Sequence, residues 1–109
     1  MIYRVIVTPN AEADLRQTYR FIRKDSPGAA ARWVKDARRS IKSLVRNPER
    51  CALAPEAAAF SEAIRELLYG RGNRGTYRIL FVVDDAKVYV LHVRHGSMEI
   101  LGTQGHAAR

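Results

Sequence analysis

The spacing of apolar residues changes period along the chain, and each change marks an element. Tyr3-Arg4-Val5-Ile6-Val7 is short and β-branched, a strand signal. It runs straight into Thr8-Pro9, a capping residue followed by proline at the first helical position. From there Ala11, Leu15, Tyr19 and Ile22 recur at four, four and three residues, while Glu12, Arg16, Arg20 and Arg23 run down another face. This helix stops near Lys24-Asp25. Ser26-Pro27 repeats the start signal, and Ala30, Trp33, Val34, Ala37, Ile41, Leu44 and Val45 keep a 3.6-residue period until Asn47-Pro48 ends it. Residues 47–63 carry Pro48, Pro55 and an alanine run, and read as an irregular connection with one helical turn after Pro55. Three strands follow, over 64–69, 76–83 and 88–94, with turns at 70–75 and 84–86. The order β-α-α-β-β-β predicts an α+β domain over residues 1–101, with a two-helix hairpin on one face of an antiparallel sheet and a frayed tail over 102–109.

Alternation sets the faces of the sheet. Tyr77, Ile79, Phe81 and Val83 outweigh Arg78, Leu80 and Val82 in apolar bulk, so the odd positions are expected beneath the helices, with Tyr89, Leu91 and Val93 beside them. A three-residue turn over 84–86 would set Val83 opposite Lys87 and Arg78 opposite His92. Arg94 would then share their open face, and Arg65 would join if the Gly-rich loop allowed that register. Two arginines beside a histidine suit a phosphate or carboxylate, and histidine trades protons near neutral pH. They are equally ordinary occupants of the wet side of a sheet. Trp33, Tyr19 and Phe21 are expected in the core. His92 and His95 stand three apart on a strand and so point to opposite faces, and Cys51 has no CxxC partner. No metal site and no cofactor is implied.

Charge adds a question of partners. The chain has 109 residues with 19 Lys+Arg against 11 Asp+Glu, a formal +8, and 15 of the cations are arginine. Such a field favours polyanions or acidic protein surfaces, and arginine's planar fork favours carboxylate and phosphate over a diffuse cloud, although a GC-rich coding bias would give the same excess. At 100° per residue Arg32, Lys35, Arg39, Lys42 and Arg46 fall in one stripe opposite the apolar face of the second helix. That stripe reads either as a solvated face or as a docking strip for an acidic partner or a polyanion such as a phosphate backbone. The longest apolar run is the five residues 79–83, far short of the ~20 a bilayer requires. A lone cysteine and an N-terminus without the layout of a secretory signal point to a reducing cytoplasm.

Val7-Thr8-Pro9-Asn10-Ala11-Glu12-Ala13-Asp14-Leu15, Ser26-Pro27-Gly28-Ala29-Ala30, Leu44-Val45-Arg46-Asn47-Pro48, Tyr77-Arg78-Ile79 and Val93-Arg94-His95-Gly96, in that order and spacing, resemble the RelE/ParE superfamily of type II toxins. The resemblance covers roughly residues 3 to 100. It implies a bacterial toxin held inactive by a cognate antitoxin, one segment of which wraps the helical hairpin and the sheet. Members divide by target. RelE-like toxins cleave mRNA on the ribosome, with clustered basic residues and a C-terminal Tyr or His; ParE-like toxins poison DNA gyrase. The RelE-like pattern would give roles to Arg65, Arg78, His92 and Arg94, yet residues 97–109 contain no Tyr. The ParE-like ending is a His-Gly-small-Arg-acidic-Leu segment. Here His95, Gly96, Ser97 and Met98 match it with Met98 in place of Arg. The resemblance therefore favours a ParE-like gyrase binder, with a RelE-like ribonuclease as the alternative. Charge by itself leaves a third reading, a small nucleic-acid-binding module.

Overall fold

A computed structural model describes residues 1–70 and 75–96. Both helices start where their caps predict: Thr8 accepts from the Ala11 N–H ahead of α1 (Pro9–Arg23), and Ser26 from the Ala29 N–H ahead of α2 (Pro27–Lys42). Ser43–Val45 tightens to a 3-10 turn, and Asn47 takes a left-handed conformation before Pro48. The helical turn expected after Pro55 is α3 (Glu56–Phe60). The strands are β1 (Arg4–Val7), β2 (Arg65–Tyr69), β3 (Tyr77–Asp84) and β4 (Lys87–His95).

The α+β order is as expected, but the sheet is mixed. Its strands lie in the order β1-β4-β3-β2, and although β2-β3-β4 is an antiparallel meander, β1 pairs with β4 in parallel. A parallel pair needs a long crossover, and the helical hairpin together with the first two strands of the meander supplies it. The first and last strands become neighbours, a pairing that no local signal encodes.

The helix face of the sheet carries the larger core. Ala11, Leu15 and Ile22 of α1 and Trp33, Ala37 and Ile41 of α2 pack on Tyr77, Ile79, Phe81, Val88, Val90 and Val93. Tyr19 is half-buried against this cluster, whereas Phe21 is 67% exposed and is no part of the core. It lies on the flank of α1 shared with Asp14 and Gln17, away from the Leu15–Ile22 stripe. The opposite face, expected wet, is also covered. Ala54, Ile64, Leu80, Val82 and Leu91 form a second buried cluster, packed by Ala57 and Phe60 of α3 and by Tyr89. Coverage of both faces is why β3 is buried without interruption from Tyr77 to Val82.

Two local features shift the β3–β4 register from the expected one. The hairpin turn is the pair Asp85-Ala86, with Asp85 at φ +57, so Asp84 rather than Val83 stands opposite Lys87. In addition, Phe81 pairs with Val90 and Leu80 with His92, which leaves Leu91 as the extra residue of a β-bulge. Before the bulge the even residues Val88 and Val90 face the helices, and beyond it the odd residue Val93 does. Tyr89 and Leu91, expected beneath the helices, therefore lie on the other face.

Trp33 sits edge-on to Tyr77 with ring centroids 5.2 Å apart, and at 6.3 Å from Tyr69. Such burial of a large aromatic carries much of a small domain's stability. Trp33→Ala is expected to cost about 3–5 kcal/mol and the exposed Arg39→Ala close to nothing, as read from urea denaturation midpoints. Among the described residues the buried Tyr69 hydroxyl has no hydrogen-bond partner. Burial, with smaller contributions from Tyr77 and Asp36, pushes its pKa well above the ordinary tyrosine value. A raised acid holds its proton in the folded state after the unfolded chain has lost it. The part of the stability linked to Tyr69 is therefore fully present below pH ~10 and falls as pH rises beyond it. Tyr69→Phe is expected to be neutral or to stabilise by about 1 kcal/mol at pH 7 and to weaken the alkaline loss, measurable by denaturation at pH 7 and above pH 10.

Candidate functional site

Arg78, the residue on which a phosphate site would most depend, is committed inward. It is 8% exposed, and its two terminal nitrogens reach both carboxylate oxygens of Glu56, with Nη2 at 2.6 Å from Oε1 and Nη1 at 3.0 Å from Oε2. Its Nε donates to Glu66 on β2 at 2.8 Å. Glu56 opens α3 and is 0% exposed, so the fork of the arginine is matched by a fixed fork of oxygens. The hydrogen bonds to Glu56 raise the Arg78 pKa above its ordinary value; burial opposes them, and Glu66 adds to them. The cation stays charged and occupied.

Of the other expected members of the cluster, Arg94 is brought next to Arg78, whereas Arg65 lies on the other face and His92 is drawn to a different partner. Arg65 shares its side of β2 with Leu67 and Tyr69, which pack on the helix-face core, and so lies across the sheet from Arg78. Its Nη1 donates to the Cys51 carbonyl at 2.7 Å, tying the connection after α2 to β2. The Cys51 thiol is buried there, and burial raises its pKa against the lowering effect of Arg50 and Arg65. Arg94, not His92, stands opposite Arg78 in the register. His92 is drawn to α1: its Nδ1 lies 3.0 Å from Asp14 Oδ2, and the same oxygen accepts from the Val93 N–H at 2.9 Å. β1 pairs with β4 only as far as Val90, and Thr8 Oγ1 donates to the Val90 carbonyl where that pairing ends. Beyond it, Asp14 serves the edge of β4 in place of a strand.

His95 packs edge-on against Tyr77 at 4.9 Å, and Gly96 donates its N–H to the Thr76 carbonyl at 2.7 Å. A Cβ at Gly96 would stand 2.9 Å from that oxygen, so the His-Gly ending has a backbone reason for its glycine. Ser97 and Met98, and the tail over 102–109, lie outside the described residues. Beside His95, a cleft of about 440 Å³ is lined by Asp14, Thr18, the exposed Phe21, Tyr77, Arg94 and His95, among others. A second groove of similar size lies between the two helices. Leu15, Tyr19 and Val34 form its apolar floor, and Arg16, Arg20, Arg23 and Arg38 its rim. On α2, Arg32, Lys35, Arg39 and Lys42 are exposed as the stripe predicts. Arg46 is exposed too, but it follows the 3-10 turn in extended backbone and is off the helix.

The model of the ParE toxin of type II toxin–antitoxin systems, parDE, matches residues 5–100. The chain belongs to this ParE toxin family. Among solved structures it is similar to a chain of the chromosomal ParDE toxin–antitoxin system from P. aeruginosa, at 21% identity over 86% of this chain and 96% of that one, with a TM-score of 0.66. A chain of the RelBE2 toxin–antitoxin complex from Mycobacterium tuberculosis is 30% identical over 87% and 99% of the two chains, with a TM-score of 0.49. No curated protein matches the chain in sequence.

In this ParE-family chain, the residues that sequence reasoning missed are acids. Asp14 stands four and seven residues before Thr18 and Phe21 on one flank of α1, a spacing that in itself does not aim it at His92. Glu56 sits in an alanine-rich stretch that gives no hint of an ion pair, and Glu66 reads as an ordinary strand residue. Arg78→Ala would strand the buried Glu56 carboxylate and is expected to cost about 3–5 kcal/mol. The paired replacement Glu56→Leu with Arg78→Met removes both charges and should cost clearly less, as urea denaturation of the single and double variants will show.

Proposed function

We infer that this ParE-family toxin arrests growth by binding DNA gyrase and that a cognate antitoxin neutralises it. The observation that supports binding over catalysis is the engagement of Arg78. A ribonuclease of this superfamily would need that arginine to stabilise charge on the scissile phosphate, and here Glu56 and Glu66 occupy all three guanidinium nitrogens. The surface proposed for the target is the end of β4, from His95 and Gly96 into Ser97 and Met98. The cleft lined by Phe21 and Arg94 lies beside its described part. An exposed aromatic flanked by a cation is the kind of anchor on which protein interfaces depend. Gyrase as the target also places the action in the cytoplasm.

For the antitoxin, the groove between the helices offers an apolar floor inside a rim of arginines. An amphipathic segment with acidic residues on its flanks would complement both parts.

One observation favours a RelE-like ribonuclease as second reading. Asp14 is hydrogen-bonded to His92, and a carboxylate behind an imidazole is the arrangement that orients a proton carrier. The two readings separate cleanly in purified systems. With the gyrase mode, the protein inhibits supercoiling, ribosome-bound mRNA stays intact in primer extension, and His92→Ala changes the inhibition little. Cleavage within codons, reduced roughly 10²-fold or more by His92→Ala, would instead establish the ribonuclease.

A further inference from the structure

The exposed face of α2 is charged almost throughout and belongs to neither surface assigned above. Arg32, Lys35, Arg39 and Lys42 succeed one another at three or four residues and are all solvent-exposed, so they form a row roughly 15 Å long at 1.5 Å per residue. The only acid of α2 is Asp36, which lies 3.6 Å from Arg39 in an exposed pair of little strength. Glu12 of α1 pairs with Arg38 on the flank of α2 at 2.8 Å rather than with the row. Asp36 is thus one acid of α2 set against the four cations of the row.

The row also lacks what a protein partner needs. Protein interfaces gain their affinity from buried aromatic or aliphatic anchors, and the exposed positions on this face beside the cations are Gly28, Ala31 and Asp36, with Arg38 on the flank toward α1. The interhelical groove and the Phe21 cleft do supply apolar anchors, so the two kinds of surface differ in chemistry. A phosphate backbone demands no apolar anchor, because its affinity comes from neutralised charge and the release of counterions. We propose that the outer face of α2 is a docking strip for the phosphate backbone of duplex DNA, independent of base sequence. It allows the toxin to sit on DNA while its apolar surfaces remain available to protein partners.

The test is fluorescence anisotropy with a labelled 24-base-pair duplex of arbitrary sequence, titrated with the full chain from 50 to 200 mM salt. Four phosphate contacts give a logarithmic salt slope of about −3.6, so wild-type affinity should fall about 10²-fold across that range. The triple variant Lys35→Gln/Arg39→Gln/Lys42→Gln, whose side chains are all exposed, should melt like wild type and lose only about 3–4-fold. Arg16→Gln/Arg20→Gln/Arg23→Gln removes the same charge from the groove rim and should retain most of the wild-type slope. Equal loss of slope in the two triple variants would mean that net charge alone matters, and would overturn the assignment to α2. Absence of duplex binding at 50 mM salt would also overturn it. So would tighter binding of poly-L-glutamate than of DNA through the α2 cations, which would assign the strip to an acidic protein.

Discussion

A guanidinium clamped between two carboxylates beneath the sheet holds together much of what distinguishes this chain. Burying a single charge costs several kcal/mol, and a buried arginine is held in place by carboxylates that take its nitrogens as partners. Glu56 does so from α3 and Glu66 from β2. To reach Arg78, α3 must lie against the second face of the sheet, and in doing so its neighbours Ala57 and Phe60 close over Leu80, Val82 and Leu91. The clamp thus links a five-residue helix, too short to be stable alone, to a strand buried on both sides. It also takes out of circulation the arginine that phosphate chemistry would have used.

A second constraint acts along β4. This strand is paired with β3 on one edge and with β1 on the other, but β1 ends at Val7. The edge beyond Val90 is completed by a side chain: Asp14 accepts the Val93 N–H and holds His92. The bulge at Leu91 falls at this transition, so the strand changes which parity it presents to the helices where its outer partner changes from backbone to carboxylate. The arrangement anchors α1 to the sheet and leaves the end of β4, with His95 and Gly96, beside the cleft under Phe21.

The charge distribution follows from these same ties. Glu56, Glu66 and Asp14 are held by Arg78 and by His92, Glu12 pairs with Arg38 at the surface, and the cations of α2 and the rim of the interhelical groove face water. The +8 excess is therefore concentrated on the helical hairpin rather than spread evenly, and the grooves with apolar floors are separate from the bare cationic row. One small fold presents surfaces of different chemistry because its two helices are each amphipathic in their own way.

Helix starts, helix periods and strand positions were legible in the sequence because they are local. A capping hydroxyl and the proline after it act within one turn, and Trp33 joins its core stripe through neighbours three and four residues away. The family was legible for a related reason, since the segments that carry the resemblance include these caps and strand ends. What only the tertiary structure decided is which side chains meet. Arg78 finds Glu56 across 22 residues and Asp14 finds His92 across 78. The parallel pairing of β1 with β4 joins the two ends of the fold. One extra residue at Leu91 and one residue fewer in the turn were enough to move Arg94 opposite Arg78 and to put Tyr89 and Leu91 on the other face, because side chains on a strand alternate with a period of two. Such contacts are selected by the closure of the whole chain, and no window of sequence contains both of their partners.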